Sequence, residues 1–270
     1  MTGVQTCALP IWQITDFIHV FLCLSSLSFN KLRYLLFGKR LKSCFEIPII
    51  INNYNRLDYL VKLIQSLESR GYRNIHIIDN NSSYPPLLEY YKSCKYCVYK
   101  LNTNVGYKAL WKTNIYEKFK KSYYVYTDAD LELDNACPDD FMNYFFMIMQ
   151  KKPFSQKVGF GLKIDDLPDI FINKKQVIDW EKKHWDFPDR QIQNLFRAPI
   201  DTTFALYRPF CKGAANRFYE TYRTGYPYVV KHLPWYVDSK NLTEEELYYV
   251  NNATQSTHWT RKTKLSQNKK

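Results

Sequence analysis

Four short apolar runs with polar tips constrain this chain more than any other feature. Ile47-Pro48-Ile49-Ile50-Ile51 leads into Asn52-Asn53-Tyr54-Asn55, and Ile75-His76-Ile77-Ile78 into Asp79-Asn80-Asn81-Ser82-Ser83. Val98-Tyr99-Lys100-Leu101 leads into Asn102-Thr103-Asn104-Val105-Gly106, and Tyr123-Tyr124-Val125-Tyr126 into Thr127-Asp128-Ala129-Asp130. Short β-branched and aromatic runs bounded by turn residues read as buried strands. Helical stretches separate them. Leu57, Leu60, Val61, Ile64 and Leu67 recur at helical spacing until Gly71, and Pro85-Pro86 opens a short helix through Tyr91. A further helix runs from Lys108 to about Phe119. Asn135 is placed to cap the next one, with Pro138 in its first turn, Asp139 and Asp140 at its positive end, and Pro153 blocking continuation. Strand and helix in alternation predict an α/β fold: a Rossmann-like, mostly parallel sheet with helices on both faces. Such sheets bind ligands at the carboxyl ends of their strands, and three of the four strands end in Asn/Asp-rich loops.

The pattern weakens further on. Val158 to Lys163 reads as another strand, ending at Ile164-Asp165-Asp166. A polar helix is expected near Lys174–Lys183 and a strand over Thr202–Tyr207. From Pro209 onward the periodicity is poor, which predicts loops and short helices that complete a pocket. The organisation expected is a nucleotide-binding half over 46–165 and an acceptor-side, metal-completing half over 166–270.

Residues 1–11 read as translated sequencing adapter and are set aside from functional reasoning. The segment 12–45 is apolar from Trp12 to Phe29, but Asp16 and His19 interrupt it. Its unbroken apolar part is shorter than the roughly 20 residues of a membrane span. Lys31, Arg33, Lys39, Arg40 and Lys42 follow, interleaved with Leu32, Tyr34, Leu35, Leu36 and Phe37. Two readings stand: an interfacial amphipathic helix on anionic lipid, or a buried helix packed on the domain. The first makes peripheral membrane contact at the inner face an expectation for an otherwise cytoplasmic protein.

The chain carries 38 Lys and Arg against 26 Asp and Glu, a net charge of +12. That balance favours anionic partners: nucleic acid, acidic headgroups or phosphorylated small molecules. No nucleic-acid-binding signature accompanies it, so nucleic acid is not expected as a partner. Cys94 and Cys97 form a single C-x-x-C with no second pair at zinc spacing, and the seven cysteines read as reduced and mostly buried in a cytosolic setting. The 17% aromatic share weakly favours ring-lined concave sites.

Asp128-Ala129-Asp130 carries the chemistry. Alternate side chains of an extended segment share a face, so both carboxylates can converge on one cation. Mg²⁺ or Mn²⁺ takes one or two carboxylates and completes its shell with substrate phosphates. At this point the sequence resembles a family. Ile51-Asn52-Asn53-Tyr54-Asn55-Arg56, Ile78-Asp79-Asn80-Asn81-Ser82, Asn104-Val105-Gly106 and Thr127-Asp128-Ala129-Asp130, in that order, resemble the loops of GT-A-fold family 2 glycosyltransferases over roughly residues 46–165. One departure is Asn53, where many members have Pro or Thr.

The resemblance implies the following. Asn53, Asn55 and Asp79 hold the uracil and ribose of a nucleotide-sugar, and Asn104 and Gly106 shape the wall beside them. Asp128 reaches the ribose or the water shell of the cation, and Asp130 binds the cation, Mn²⁺ or Mg²⁺, directly. A late His completes the metal site, with His258 favoured slightly over His232. The acceptor is a saccharide or lipid-linked hydroxyl, the outcome is inversion, and the base is a second-half carboxylate. Asp201 is the first candidate, with Asp165, Asp166 and Asp238 behind it. Trp235, Tyr236 and Trp259 are placed to stack on an acceptor sugar or simply to pack. Two other classes compete. A sugar-phosphate nucleotidyltransferase would need a Gly-rich loop where Asn53-Tyr54-Asn55-Arg56 stands. A non-enzymatic basic binding protein rests on net charge alone.

Overall fold

The computed structural model describes residues 11–213 and 220–253. The elements run in the order α1 (Ile11–Phe37), β1 (Ile49–Asn53), α2 (Asp58–Glu68), β2 (Ile75–Asp79), α3 (Pro85–Ser93) and β3 (Cys97–Lys100). Next come α4 (Ala109–Lys112), α5 (Tyr116–Phe119), β4 (Tyr124–Asp128), β5 (Leu131–Leu133), α6 (Phe141–Lys151) and β6 (Ser155–Leu162). The chain continues through α7 (Lys174–Glu181), β7 (Leu195–Arg197), β8 (Ala205–Tyr207), β9 (Glu220–His232) and α8 (Glu244–Asn252).

Among the described residues the nine strands form one sheet in the order β3-β2-β1-β4-β8-β6-β9-β5, with β7 pairing on β9. The first four strands are parallel. β8 enters antiparallel between β4 and β6, whereas β6 and β9 are parallel to each other. This is the α/β architecture that the strand–helix alternation predicts. Strands from 46–165 and from 166–270 share the sheet.

Period two explains the layers. Ile49 and Ile51 of β1, Ile75 and Ile77 of β2 and Val125 of β4 point to one face, against Leu60, Leu63, Ile64 and Leu67 of α2 and Phe141 and Phe145 of α6. Ile50, Ile78, Tyr124 and Tyr126 point to the other, against Ala109, Leu110, Tyr116 and Phe119 of α4 and α5. Both faces are covered, so these strands read as unbroken apolar runs rather than alternating ones. Gly159 on β6 is required by a close approach: a Cβ there would lie 2.4 Å from the Phe204 carbonyl.

Several sequence expectations shift. The helix expected over 108–119 is two four-residue helices, because Thr113 turns extended and its hydroxyl donates to the Ala109 carbonyl at 2.9 Å. Asn135 does not cap α6. That residue lies in a turn closed by Cys137 N donating to Asp134 O at 2.9 Å, and the helix starts only at Phe141. The largest correction lies after Pro209, where loops and short helices are expected and the thirteen-residue β9 stands instead. Gly225-Tyr226-Pro227-Tyr228 hides it. Pairing with β6 jumps from Phe160↔Thr224 to Gly161↔Val229, so these four residues bulge out and carry the proline that a ladder would reject. Cys23, Cys137 and Cys211 are buried and Cys97 is exposed.

The segment 12–45 is not the buried helix of the second reading. Only Cys23 and Leu27 are buried among its described apolar side chains, and Phe21, Phe29, Leu36 and Phe37 are exposed. By length and composition alone, Ile18–Phe37 is long and apolar enough to cross a membrane.

Candidate functional site

β4 stops at Asp128, and Ala129 and Asp130 bend the chain into β5. Register places Asn52 of β1 beside Asp128. Asn52 Nδ2 donates to Asp128 Oδ1 at 3.3 Å, and the Thr202 hydroxyl donates to Oδ2. The Asp128 amide donates to the Thr202 carbonyl at 2.9 Å, which fixes that segment against the strand end. Burial, reinforced by the charge of Asp130, pushes the Asp128 carboxyl well above the usual range despite these hydrogen bonds. In Asp130 burial acts the same way, but the His232 ring and the Arg56 guanidinium outweigh it and hold the carboxyl below its usual range. The two acids therefore ionise unequally, Asp130 first.

His232 arrives from the far end of the chain through strand pairing. β5 and β9 pair with Leu131 opposite His232, and Leu233 N donates to the Asp130 carbonyl at 2.9 Å. His232 Nε2 lies 3.4 Å from Asp130 Oδ2, and its ring packs 4.5 Å from Trp235. His232 Nδ1 and Asn52 Oδ1 are buried without a hydrogen-bond partner among the described residues.

The strand-end loops are tied to one another. Asn55, at φ 53°, accepts from Ser83 N at 2.7 Å and Tyr84 N at 3.0 Å through Oδ1, joining the β1 loop to the β2 loop. Asn53 Nδ2 donates to the Arg56 carbonyl at 2.8 Å and to the Tyr91 hydroxyl at 2.9 Å. Asn53 and Asn55 are fully buried, so both carboxamides brace the protein itself, where the sequence reading has them facing a ligand. Asp79 is almost wholly buried, takes a hydrogen bond from Tyr91 at 3.4 Å, and has its carboxyl pushed up by burial. Asn80 clamps the third loop, accepting from Val105 N at 2.9 Å and donating to Gly106 O at 3.0 Å. Asn104 Oδ1 accepts from Gly106 N at 2.9 Å, a tight turn that Gly106 completes at φ 81°.

Asp201 is exposed and immediately precedes Thr202. Lys157 Nζ donates to the Ile200 carbonyl at 2.5 Å and the Asp201 carbonyl at 3.3 Å, and burial lowers that lysine to about 8. The other acids have different work. Asp165 and Asp166 pair with Lys163, Tyr236 donates to Asp166 Oδ1 at 2.6 Å, and Asp238 accepts from Lys240 N at 2.8 Å in a turn. Trp235 is buried in the core. His258 and Trp259 lie outside the described residues.

Sequence reasoning missed the roof of this edge. α8 lies over the first two loops: Glu245 accepts from Leu57 N at 2.6 Å and Asp58 N at 2.8 Å, capping α2, and Glu246 pairs with Arg56 at 2.8 Å. The Arg56 guanidinium sits 3.7 Å over the Tyr249 ring. Thr202 and α8 carry no motif of their own, and the Asn52 motif does not say that its carboxamide reaches Asp128. Arg56 stands in the sequence as the end of Ile51-Asn52-Asn53-Tyr54-Asn55-Arg56.

Among the described residues no three His, Cys, Asp or Glu side chains converge as a closed metal cage. One carboxylate and one imidazole, Asp130 and His232, lie in reach of each other, and such a pair could supply two ligands to a hard divalent cation that takes its other ligands from phosphate and water.

No protein-family model matches the sequence, and no curated protein matches it. Solved structures with similarity to it include residues 1–349 of S. aureus TarS, at 12% identity and TM-score 0.41 over 80% of this chain and 68% of that one. A second structure of S. aureus TarS matches at 12% identity and TM-score 0.40, over 80% of this chain and 42% of that one. GalNAc-T7 with UDP, GalNAc and Mn²⁺ matches at 13% identity and TM-score 0.42, over 75% of this chain and 47% of that one. The chain thus spans less than half of the latter two.

Proposed function

We propose that this chain is a divalent-metal-dependent glycosyltransferase. It moves a sugar from a nucleotide-sugar, UDP-linked by the default of the resembled family, to a hydroxyl of a saccharide or lipid-linked acceptor with inversion. The observation that carries the reading is the pairing of His232 Nε2 with Asp130 Oδ2 at 3.4 Å just past the end of β4, the strand that Asp128 closes.

Asp130 and His232 would hold Mn²⁺ or Mg²⁺, with Asp128 beside them. When bound, the cation supplies Lewis-acid neutralisation of the leaving diphosphate. Asn52 and Thr202 fix the Asp128 side chain so that it need not reorganise as charge develops. Asp79 and the turn Asn104–Gly106 would receive base and ribose, with Asn53 and Asn55 bracing the loops behind them. Asp201, exposed and electrostatically coupled to Asp128, would take the acceptor proton, and Lys157 holds the backbone that carries it.

A thermal-shift panel of nucleotide-sugars with and without Mn²⁺ tests this. One donor with Mn²⁺ should stabilise the protein by about 2.7 kcal/mol at a hundredfold excess over its dissociation constant. Absence of a shift with every donor and both cations would remove the assignment.

A further inference from the structure

The helix α1 has two apolar stripes, and the sheet uses only one. At 3.6 residues per turn, Cys23, Leu27, Asn30 and Tyr34 fall on one side. That side is docked: Asn30 Nδ2 lies 3.8 Å from Cys211 Sγ, the Tyr34 ring meets the Tyr123 ring at 5.6 Å, and Lys39 N donates to the Lys121 carbonyl at 2.8 Å. The opposite side presents Ile18, Phe21, Phe29, Leu32 and Leu36, with Ser25 among them. Phe21 and Phe29 are each 61% exposed and Leu36 is 65% exposed. Exposed large apolar side chains in one row need a cover.

Charge identifies the cover. Between residues 17 and 45 stand Lys31, Arg33, Lys39, Arg40 and Lys42 and no acid at all. A second copy would bring the same cations against themselves, whereas an anionic lipid surface complements them. The docked side also sets the depth. Tyr34 and Asn30 are held by the body, so lipid cannot surround the helix, and Ser25, Ser26 and Ser28 lie in its middle. We propose that α1 lies along the surface of an anionic bilayer, inserting the Phe21–Phe29–Leu32–Leu36 row while Lys31, Lys39, Arg40 and Lys42 meet the headgroups. The docking residues Lys121 and Tyr123 precede β4, and Cys211 follows its antiparallel partner β8, so α1 attaches at the strand edge opposite Asp128 and Asp130. The acidic edge stays uncovered.

The test is flotation of the full chain with vesicles of phosphatidylcholine alone or of phosphatidylcholine with phosphatidylglycerol. The protein should float with the anionic vesicles and release with salt. Replacing Lys39, Arg40 and Lys42 by Gln should weaken binding on the order of 100-fold. The triple variant Phe29→Gln, Leu32→Gln, Leu36→Gln should sink at every lipid composition, with its melting temperature unchanged. The proposal is overturned if the native chain ignores anionic vesicles, or if the triple variant floats as before. It is equally overturned if that variant loses only a dimer seen by light scattering, which makes a second copy the occupant. Resistance of the native chain to alkaline carbonate extraction would also overturn it, in favour of a span. None of these readings involves a nucleotide-sugar, so the proposal stands or falls apart from the transferase reading.

Discussion

The two halves of the sheet differ in how they make the site. In β3-β2-β1-β4, β1, β2 and β3 sit beside one another in turn and β4 returns to the other side of β1, and each strand delivers its own loop to the shared edge. In β8-β6-β9-β5, neighbours come from distant parts of the chain, and pairing rather than local sequence delivers Thr202 to Asp128 and His232 to Asp130. The first half therefore contributes the tied loops and two acids. The second supplies the larger part of what makes the acids unequal, because the His232 ring, helped by Arg56 of the β1 loop, holds Asp130 down while burial leaves Asp128 raised.

The largest effect should come from the second half's chemistry. Asp201→Asn is expected to lower kcat by about 10² to 10⁴-fold with little change in donor affinity, read by steady-state kinetics beside donor calorimetry. Loss of donor affinity alone would make Asp201 a donor-binding residue and blur the distinction.

The halves should nevertheless melt as one, since residues of both belong to one apolar cluster. Phe160 on β6 is fully buried among Phe141, Phe145 and Phe204, with ring centroids 4.7 to 5.3 Å away. Phe160→Ala should cost about 3–5 kcal/mol in a single transition. A second transition in urea would split the sheet into two units.

Lys157 gives the second half a pH signature. Burial lowers it from 10.5 to about 8, so between those values the unfolded chain binds the proton that the folded chain has lost. Stability should then rise with pH across that window, by about 3 kcal/mol in total, and be least below about pH 8. Lys157→Met should flatten the rise, as measured by denaturant unfolding at several pH values.

The smallest effect concerns the seam between α8 and the first half. Glu245→Ala removes the carboxylate that accepts from Leu57 N and Asp58 N, and should cost about 1–2 kcal/mol, read from the melting temperature.

The same contrast explains what the sequence makes legible. β1, β2 and β4 announce themselves because both faces are covered, which forces apolar runs such as Ile49-Ile50-Ile51, and turn chemistry marks their ends. The acidic pair follows from being the polar tip of such a run. Roles inside a tip depend on parity. Asn52 points to Asp128 and Asn53 points to Tyr91, a distinction that needs the register and not the motif. β9 is illegible because its bulge interrupts the alternation, and His232 with it, since only pairing on β5 says that the histidine belongs to Asp130.

The central claim is that Asp130 and His232 form half a cation site whose other half is a nucleotide diphosphate. Electron paramagnetic resonance of Mn²⁺ titrated into the protein, with and without UDP, measures it directly. Mn²⁺ should bind weakly alone and strongly with UDP, and the UDP-dependent part should be lost in both Asp130→Ala and His232→Ala. Mn²⁺ affinity indifferent to UDP, or untouched by both substitutions, would contradict it.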